Sequence, residues 1–351
     1  MLQALFHAWE RRLASATTNR VVRPFEWGLD WIPTNGSSDR PASSQLTAWV
    51  HHVMADTDAF FTPPPNQEYT LGPAGPDGER LLKFPSAFET PHPANNTVYA
   101  RLFPPRGARA DTDRRAAVLV LPQWNADPGG HVGLSKLLTM HGMTALRLSL
   151  PYHDWRMPPE LERADYIVSS NVARTVQVCR QAVLDSRRAI EWLAAQGYER
   201  IGILGSSLGS CLSLLTTAHE PLIRAAALNH ISPYFADVVW RGLSTEHVRE
   251  GLDGHIELDL LRELWSPISP AWYLERMRGR QTLLVYAKYD LTFPVDLSED
   301  LVRMFREHNI PHETAVLHCG HYSSGKTPFK FVDGLILSRF LRRALLGSAT
   351  D

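Results

Sequence analysis

The chain of 351 residues carries 36 Lys and Arg against 37 Asp and Glu, a formal net charge of -1, and 44% of it is hydrophobic. That content can bury a large core, in one big domain or two ordinary ones. The balanced charge gives no electrostatic reason to expect nucleic acid or an anionic membrane as partner.

The stretch Met1–Arg12 lacks a basic start, a long apolar run and a small-residue cleavage site, so no secretory signal is expected. No run approaches the ~20 apolar residues needed to span a bilayer. Cys179, Cys211 and Cys319 are too few, and odd in number, for a disulfide framework, and they fit a reducing compartment. A cytoplasmic location is expected.

Residues 1–80 read as an accessory segment. Helical patches near 3–15 and 44–60 are separated by Trp27, Trp31 and a Gly36-Ser37-Ser38 turn. Pro63-Pro64-Pro65 and Gly72-Pro73-Ala74-Gly75-Pro76 break regular structure. No chemistry is visible here, and its Trp and Phe residues are expected to pack on the main domain.

From 81 to 351 strands alternate with helices. Leu81–Phe84 and Thr97–Phe103 read as antiparallel strands around a turn at Pro91–Asn96. Ala117–Leu121 is a continuous apolar run, the pattern of a buried strand. A helix near 131–141 and a strand at Thr144–Leu150 follow. Val172, Val176, Cys179, Val183, Ile190 and Leu193 then recur at helical spacing, and Gly197 closes that helix. Further strands are expected at Arg200–Leu204, Ala225–Asn229, Gln281–Tyr286 and Thr314–Leu317, with helices at about 208–218, 294–308 and 328–346. Pro294 and Pro328 stand where first-turn prolines belong. Such alternation implies a parallel sheet covered on both faces.

The stretch 233–279 interrupts the pattern. It is helical and rich in Trp240, Leu243, Leu261, Leu264, Trp265 and Trp272. Two readings stay open: a cap inserted over a site, or surface helices packed on the core.

The strongest chemical signal is Gly205-Ser206-Ser207-Leu208-Gly209, set between the strand ending at Leu204 and a helix beginning near Leu208. A strand that turns abruptly into a helix leaves no room for side chains two residues before and two after the turn. Glycine is needed there, and Ser207 is held in a strained turn with its hydroxyl above the sheet edge. The helix N-terminus aims free N–H groups at the same spot, so the Leu208 amide can face an oxygen that gains negative charge.

With this motif in this context the chain resembles the α/β-hydrolase superfamily over roughly 81–346. The resemblance implies a mostly parallel sheet flanked by helices, and 233–279, inserted between two of its strands, is the candidate helical cap. It also implies a nucleophile, an acid and a histidine in that order, each after a strand. Asp290, at the end of Val285–Asp290, matches the acid position. His321, in Gly320-His321 beyond the last strand, matches the histidine. Their roles would be those of a serine hydrolase: His321 as base, Asp290 as its orienting partner. The family's second oxyanion donor lies in the loop after the first parallel strand, here Pro122-Gln123-Trp124-Asn125. That assigns the Trp124 backbone N–H, with Gln123 as fallback. Pro122-Gln123 departs from the family's usual His-Gly, which bears on the donor and on the shape of the acyl pocket.

Asp237 competes with Asp290 for the acid. His318 competes with His321, but it is placed within the last strand as a packed histidine. Ser206 and Ser210 lack the turn geometry. The 15 histidines form no H-E-x-x-H and no zinc spacing. Pro151–Arg156 follows a strand's C-terminal end and is placed at the mouth of the site. The expected activity is cleavage of a carboxylic ester or thioester of a small-molecule substrate, with no cofactor and no metal. A peptidase or amidase on the same residues, or a binding protein that kept the fold without catalysis, are the alternatives.

Overall fold

The computed structural model describes residues 2–33, 40–105 and 116–347, so the Gly36-Ser37-Ser38 turn lies outside the described residues. The chain opens with helices α1 (Leu2–Ala14), α2 (Ala42–Ala55) and α3 (Thr57–Phe61), then strands β1 (Thr70–Leu71), β2 (Arg80–Pro85) and β3 (Thr97–Phe103). It continues through β4 (Ala116–Leu121), α4 (Val132–Met140), β5 (Thr144–Leu148), α5 (Val172–Ala195), β6 (Arg200–Ser206), α6 (Leu208–His219) and β7 (Ile223–Asn229). Three short helices follow, α7 (Phe235–Arg241), α8 (Glu246–Leu252) and α9 (Leu258–Leu264). Then come β8 (Gln281–Ala287), α10 (Val295–Glu307), β9 (Glu313–Leu317) and α11 (Phe329–Leu346).

The strands form one sheet in the order β1-β2-β3-β5-β4-β6-β7-β8-β9. The edge up to the β3–β5 pairing is antiparallel, and β5 to β9 run parallel. Between the breaks at 63–65 and 72–76 lies β1, whose Thr70 and Leu71 pair with Lys83 and Leu82. Every position of β4 is buried. Side chains alternate across a strand, so Ala117, Leu119 and Leu121 enter one core while Val118 and Val120 enter the other. The first core also takes residues of α5, α6 and α10, and the second those of α4 and α11.

Helix α5 was expected to be amphipathic, but its polar side is buried too. Residues before β3 lie over it and accept its hydrogen bonds. Gln177 Nε2 donates to Trp31 O (2.8 Å), Arg180 Nε to Phe60 O (2.7 Å) and Gln181 Nε2 to Phe88 O (3.0 Å). The three cysteines are buried free thiols. Among the described residues no helix is long and apolar enough to cross a membrane.

Chain order turns back between β4 and β6, because α4 leads from β4 to β5 on one side and α5 returns to β6 on the other. Ligands bind at the C-terminal ends of strands at such a switch point. The loop Pro122–Asn125 and Ser207 stand there.

Candidate active site

Ser207 turns the chain from β6 into α6 at φ 56°, ψ -122°. That conformation is strained for a residue with a side chain. It is bridged to the next strand by Ser207 N–H to Asn229 O (2.8 Å). A Cβ on Gly205 would lie 2.1 Å from Gly209 O, and one on Gly209 2.2 Å from Leu121 O. Backbone occupies both places, which is the physical content of the two glycines. Leu208 opens α6, so its N–H has no intrahelical acceptor. Ser210, inside the helix, is structural: its hydroxyl lies 2.6 Å from Ser207 O and 3.0 Å from His230 O.

The fold brings Ser207, His321 and Asp290 together across 114 positions of sequence. Ser207 Oγ–H donates to His321 Nε2 (3.1 Å), and His321 Nδ1–H donates to Asp290 Oδ2 (2.9 Å). Asp290 Oδ1 accepts from the Thr292 and Phe293 amides (2.8 and 2.7 Å). Burial pushes the Asp290 carboxyl up. The charges and N–H groups of His321 and His230 outweigh it and hold the group well below the usual carboxylate range. Phe293 stacks on the His321 ring at 5.3 Å and 7°.

Asp237 is elsewhere, held by Arg262 at 2.6 and 3.0 Å. His318 was expected inside the last strand, but β9 ends at Leu317 and His318 is exposed in the bend beyond it.

Sequence reasoning missed two participants. His230, which follows β7, donates Nδ1–H to the same Asp290 Oδ2 (3.1 Å). Its Nε2 lies 3.2 Å from Ser324 Oγ, whose own hydrogen goes to His321 O (2.7 Å). Ser324 is then left with only lone pairs for His230, so both ring nitrogens of His230 carry protons. Burial works against that charge, but Asp290, Asp333 and Glu10 reverse it and raise the pKa. The clue was positional, a histidine directly after a parallel strand. Glu10, in α1, is fully buried, and its oxygens accept from Tyr322 N–H (2.7 Å) and Ser323 N–H (2.9 Å) in the loop that carries His321. Nothing in the sequence marks it.

Asp290, His230 and His321 also form the one group among the described residues close enough to hold a metal ion. Both Nδ1 atoms point protons, not lone pairs, at Asp290, so the group is arranged for hydrogen bonding rather than ligation.

A cavity of about 1110 Å³ opens over Ser207 and is lined by Gln123, Trp124, Leu208, His321 and others. Pro151–Arg156, expected at its mouth, is not among the lining residues and lies behind the Trp124 loop. His153 Nε2 accepts Asn125 N–H (2.9 Å) while its Nδ1–H donates to Pro151 O (2.8 Å). Burial pushes that ring down to about 4, which keeps it a neutral acceptor. From 233–279 the lining residues include Phe235, Val238 and Val239. Leu261, Leu264 and Trp265 are instead fully buried in the core, and Trp272 is exposed.

No protein-family model and no curated protein matches the sequence. Solved structures do match the fold. Acetyl xylan esterase from Paenibacillus sp. R4 superposes with a TM-score of 0.62 at 15% identity, covering 90% of this chain and 98% of that one. Carboxyl esterase 2 from Tuber melanosporum gives 0.52 at 18%, covering 86% and 98%. Acylaminoacyl peptidase from Pyrococcus horikoshii gives 0.62 at 14%, but this chain, matched over 81%, spans only 43% of that protein. The chain has the α/β-hydrolase fold.

Proposed function

We propose that this protein is a serine hydrolase that cleaves a carboxylic ester, or a thioester, through an acyl-enzyme. The observation that carries the reading is the unbroken relay from Ser207 Oγ through His321 to Asp290, at 3.1 and 2.9 Å, opening on a cavity of about 1110 Å³. A serine hydroxyl is a poor nucleophile by itself. Asp290 accepts the Nδ1 proton of His321 and so leaves the Nε2 lone pair facing Ser207. As Ser207 Oγ bonds to the acyl carbon, its proton passes to Nε2 and then to the departing alcohol. Water attacks the acyl-enzyme by the same route in reverse. The amides of Leu208 and Trp124 are the proposed donors to the oxyanion. Such a donor typically contributes about 10²–10³-fold in rate.

An ester is the first choice of substrate because an alcohol leaves more readily than an amine, whose nitrogen must be fully protonated before its bond to carbon can break. The chemistry asks for no cofactor. Residues 233–279 are proposed to act as a cap through Phe235, Val238 and Val239, an apolar wall for the acyl or alcohol group.

The test is labelling by a fluorophosphonate together with turnover of 4-nitrophenyl esters, thioesters and peptide anilides. Wild type should label and cleave an ester fastest. Ser207→Ala should lose labelling and nearly all turnover, while keeping its circular dichroism. Equal turnover in Ser207→Ala would sink the proposal, and preference for the anilide would move it to an amidase.

A further inference from the structure

The cavity is also lined by two arginines from separate parts of the chain, Arg20 and Arg163. Arg163 is nine-tenths buried, and its guanidinium lies over the Trp124 indole, 5.3 Å from the ring centroid. Its Nε stands 3.4 Å from Asp165 Oδ1, an ion pair outside hydrogen-bond geometry. Among the described residues no group accepts a hydrogen bond from its terminal nitrogens. Arg20 Nη2 donates to Ala14 O (3.2 Å) and to the hydroxyl of Tyr322 (3.1 Å), the residue after His321, and its Nε is unpartnered.

The charge here does not balance. Asp165 serves two guanidiniums, since its Oδ2 also accepts from Arg23 Nε and Nη2 (both 3.3 Å). Arg20 has no carboxylate partner among the described residues, and the nearby Glu10 is turned to the Tyr322 and Ser323 amides. His247 senses the excess. Its ring lies parallel to Trp124 at 5.8 Å, and both of its nitrogens are buried without partners. Burial, then the charges of Arg163, Arg20 and Arg23, push it down to about 4.

A largely buried guanidinium whose terminal nitrogens meet no protein acceptor is costly unless something else supplies one. We propose that Arg163 and Arg20 bind an anionic oxygen-acid group of the substrate, a carboxylate or a phosphate. The preferred substrate is then an ester that also carries a negative charge, and this rests on the hydrolase reading above. The planar fork of Arg163 offers paired N–H donors to such a group. Its packing on the Trp124 indole would hold the anion against the side chain of the residue whose amide is the proposed oxyanion donor, so the charged end and the scissile carbonyl would be fixed together.

The experiment compares mono-4-nitrophenyl adipate with 4-nitrophenyl hexanoate, equal in chain length and different in charge. Wild type should favour the adipate in kcat/KM. Arg163→Met and Arg20→Met should each lower the adipate-to-hexanoate ratio, chiefly through the KM of the adipate. The expected drop is roughly 10–150-fold for Arg163, the range of a lost charge-assisted hydrogen bond. Free adipate and inorganic phosphate, as competitive inhibitors of hexanoate turnover, separate the two anion chemistries. Melting temperature and fluorophosphonate labelling show whether each variant is folded, and Arg20→Met decides if Arg163→Met is not. A ratio near one in wild type, unchanged in the folded variants and with neither anion inhibiting, would overturn the proposal. If no ester is cleaved and Ser207 is not labelled, the hydrolase reading fails instead. Calorimetric titration of wild type and Arg163→Met with adipate and phosphate then decides the anion site by itself.

Discussion

Replacing Glu10 by alanine removes a side chain of α1 that reaches the His321 loop. The carboxylate is fully buried and accepts two backbone N–H groups, those of Tyr322 and Ser323, at 2.7 and 2.9 Å. A buried donor left unmade costs about 1–3 kcal/mol, so two cost about 2–6 kcal/mol. Unfolding entropy is about 2.1 cal/mol/K per residue. Over 351 residues each kcal/mol then corresponds to ~1.4 °C, and the melting temperature should fall by roughly 3–8 °C. The kinetic effect is separate. Tyr322 adjoins His321, so slack in this loop moves the base relative to Ser207, and a displacement of about 1 Å costs ~10²-fold. We expect kcat on a neutral ester to fall by one to two orders of magnitude with KM little changed. Glu10→Gln keeps one accepting oxygen and should lose about half the stability. Differential scanning fluorimetry and steady-state kinetics read both effects. A lowered melting temperature with kcat within twofold of wild type would refute the claim that α1 positions the base.

Gly209→Ala places a Cβ 2.2 Å from Leu121 O and 2.5 Å from Pro122 O. Those atoms belong to the end of β4 and the loop leaving it, so Ser207 and Leu208 must shift. Stability should drop by at least the ~1–3 kcal/mol of overpacking, and fluorophosphonate labelling should slow, so a wild-type labelling rate would count against the elbow. The raised pKa of His230 fixes a sign. Its contribution to stability is complete below the unfolded value of about 6.5 and is lost as pH rises through the folded value. The melting-temperature gap between wild type and His230→Gln should therefore be widest below about pH 6.5 and narrow as pH rises through the raised folded value, whereas a constant gap would mean that His230 is uncharged. Trp265→Ala should cost ~3–5 kcal/mol without changing chain-length preference, because Trp265 is fully buried and bonds Val172 O through Nε1 (3.1 Å). Val238→Ala should do the reverse, shifting the hexanoyl-to-acetyl ratio in a graded way, and unchanged ratios would leave 233–279 without a role in specificity.

Local pattern carried much of this protein. The apolar runs at Ala117–Leu121 and Arg200–Leu204 and the helical spacing from Val172 set the alternation, because burial on both faces of a sheet and on one stripe of a helix imposes those periods. The strained turn at Ser207 was legible for a similar reason. Its two glycines answer clashes with backbone only a few residues away or in an adjoining strand. Asp290 and His321 were legible as strand-end positions within a resemblance that also implied their pairing, whereas the second histidine on the same carboxylate was not. Tertiary structure alone decided the rest. It set His230 against Asp290, brought Glu10 to the amides beyond His321, and turned Pro151–Arg156 into a brace behind Trp124. It also left Arg20 and Arg163 facing one cavity, Arg163 beside an Asp165 that it shares with Arg23 and Arg20 beside no carboxylate partner among the described residues. Each depends on which distant segments meet and on where burial removes water, and neither leaves a periodic trace in the residues themselves.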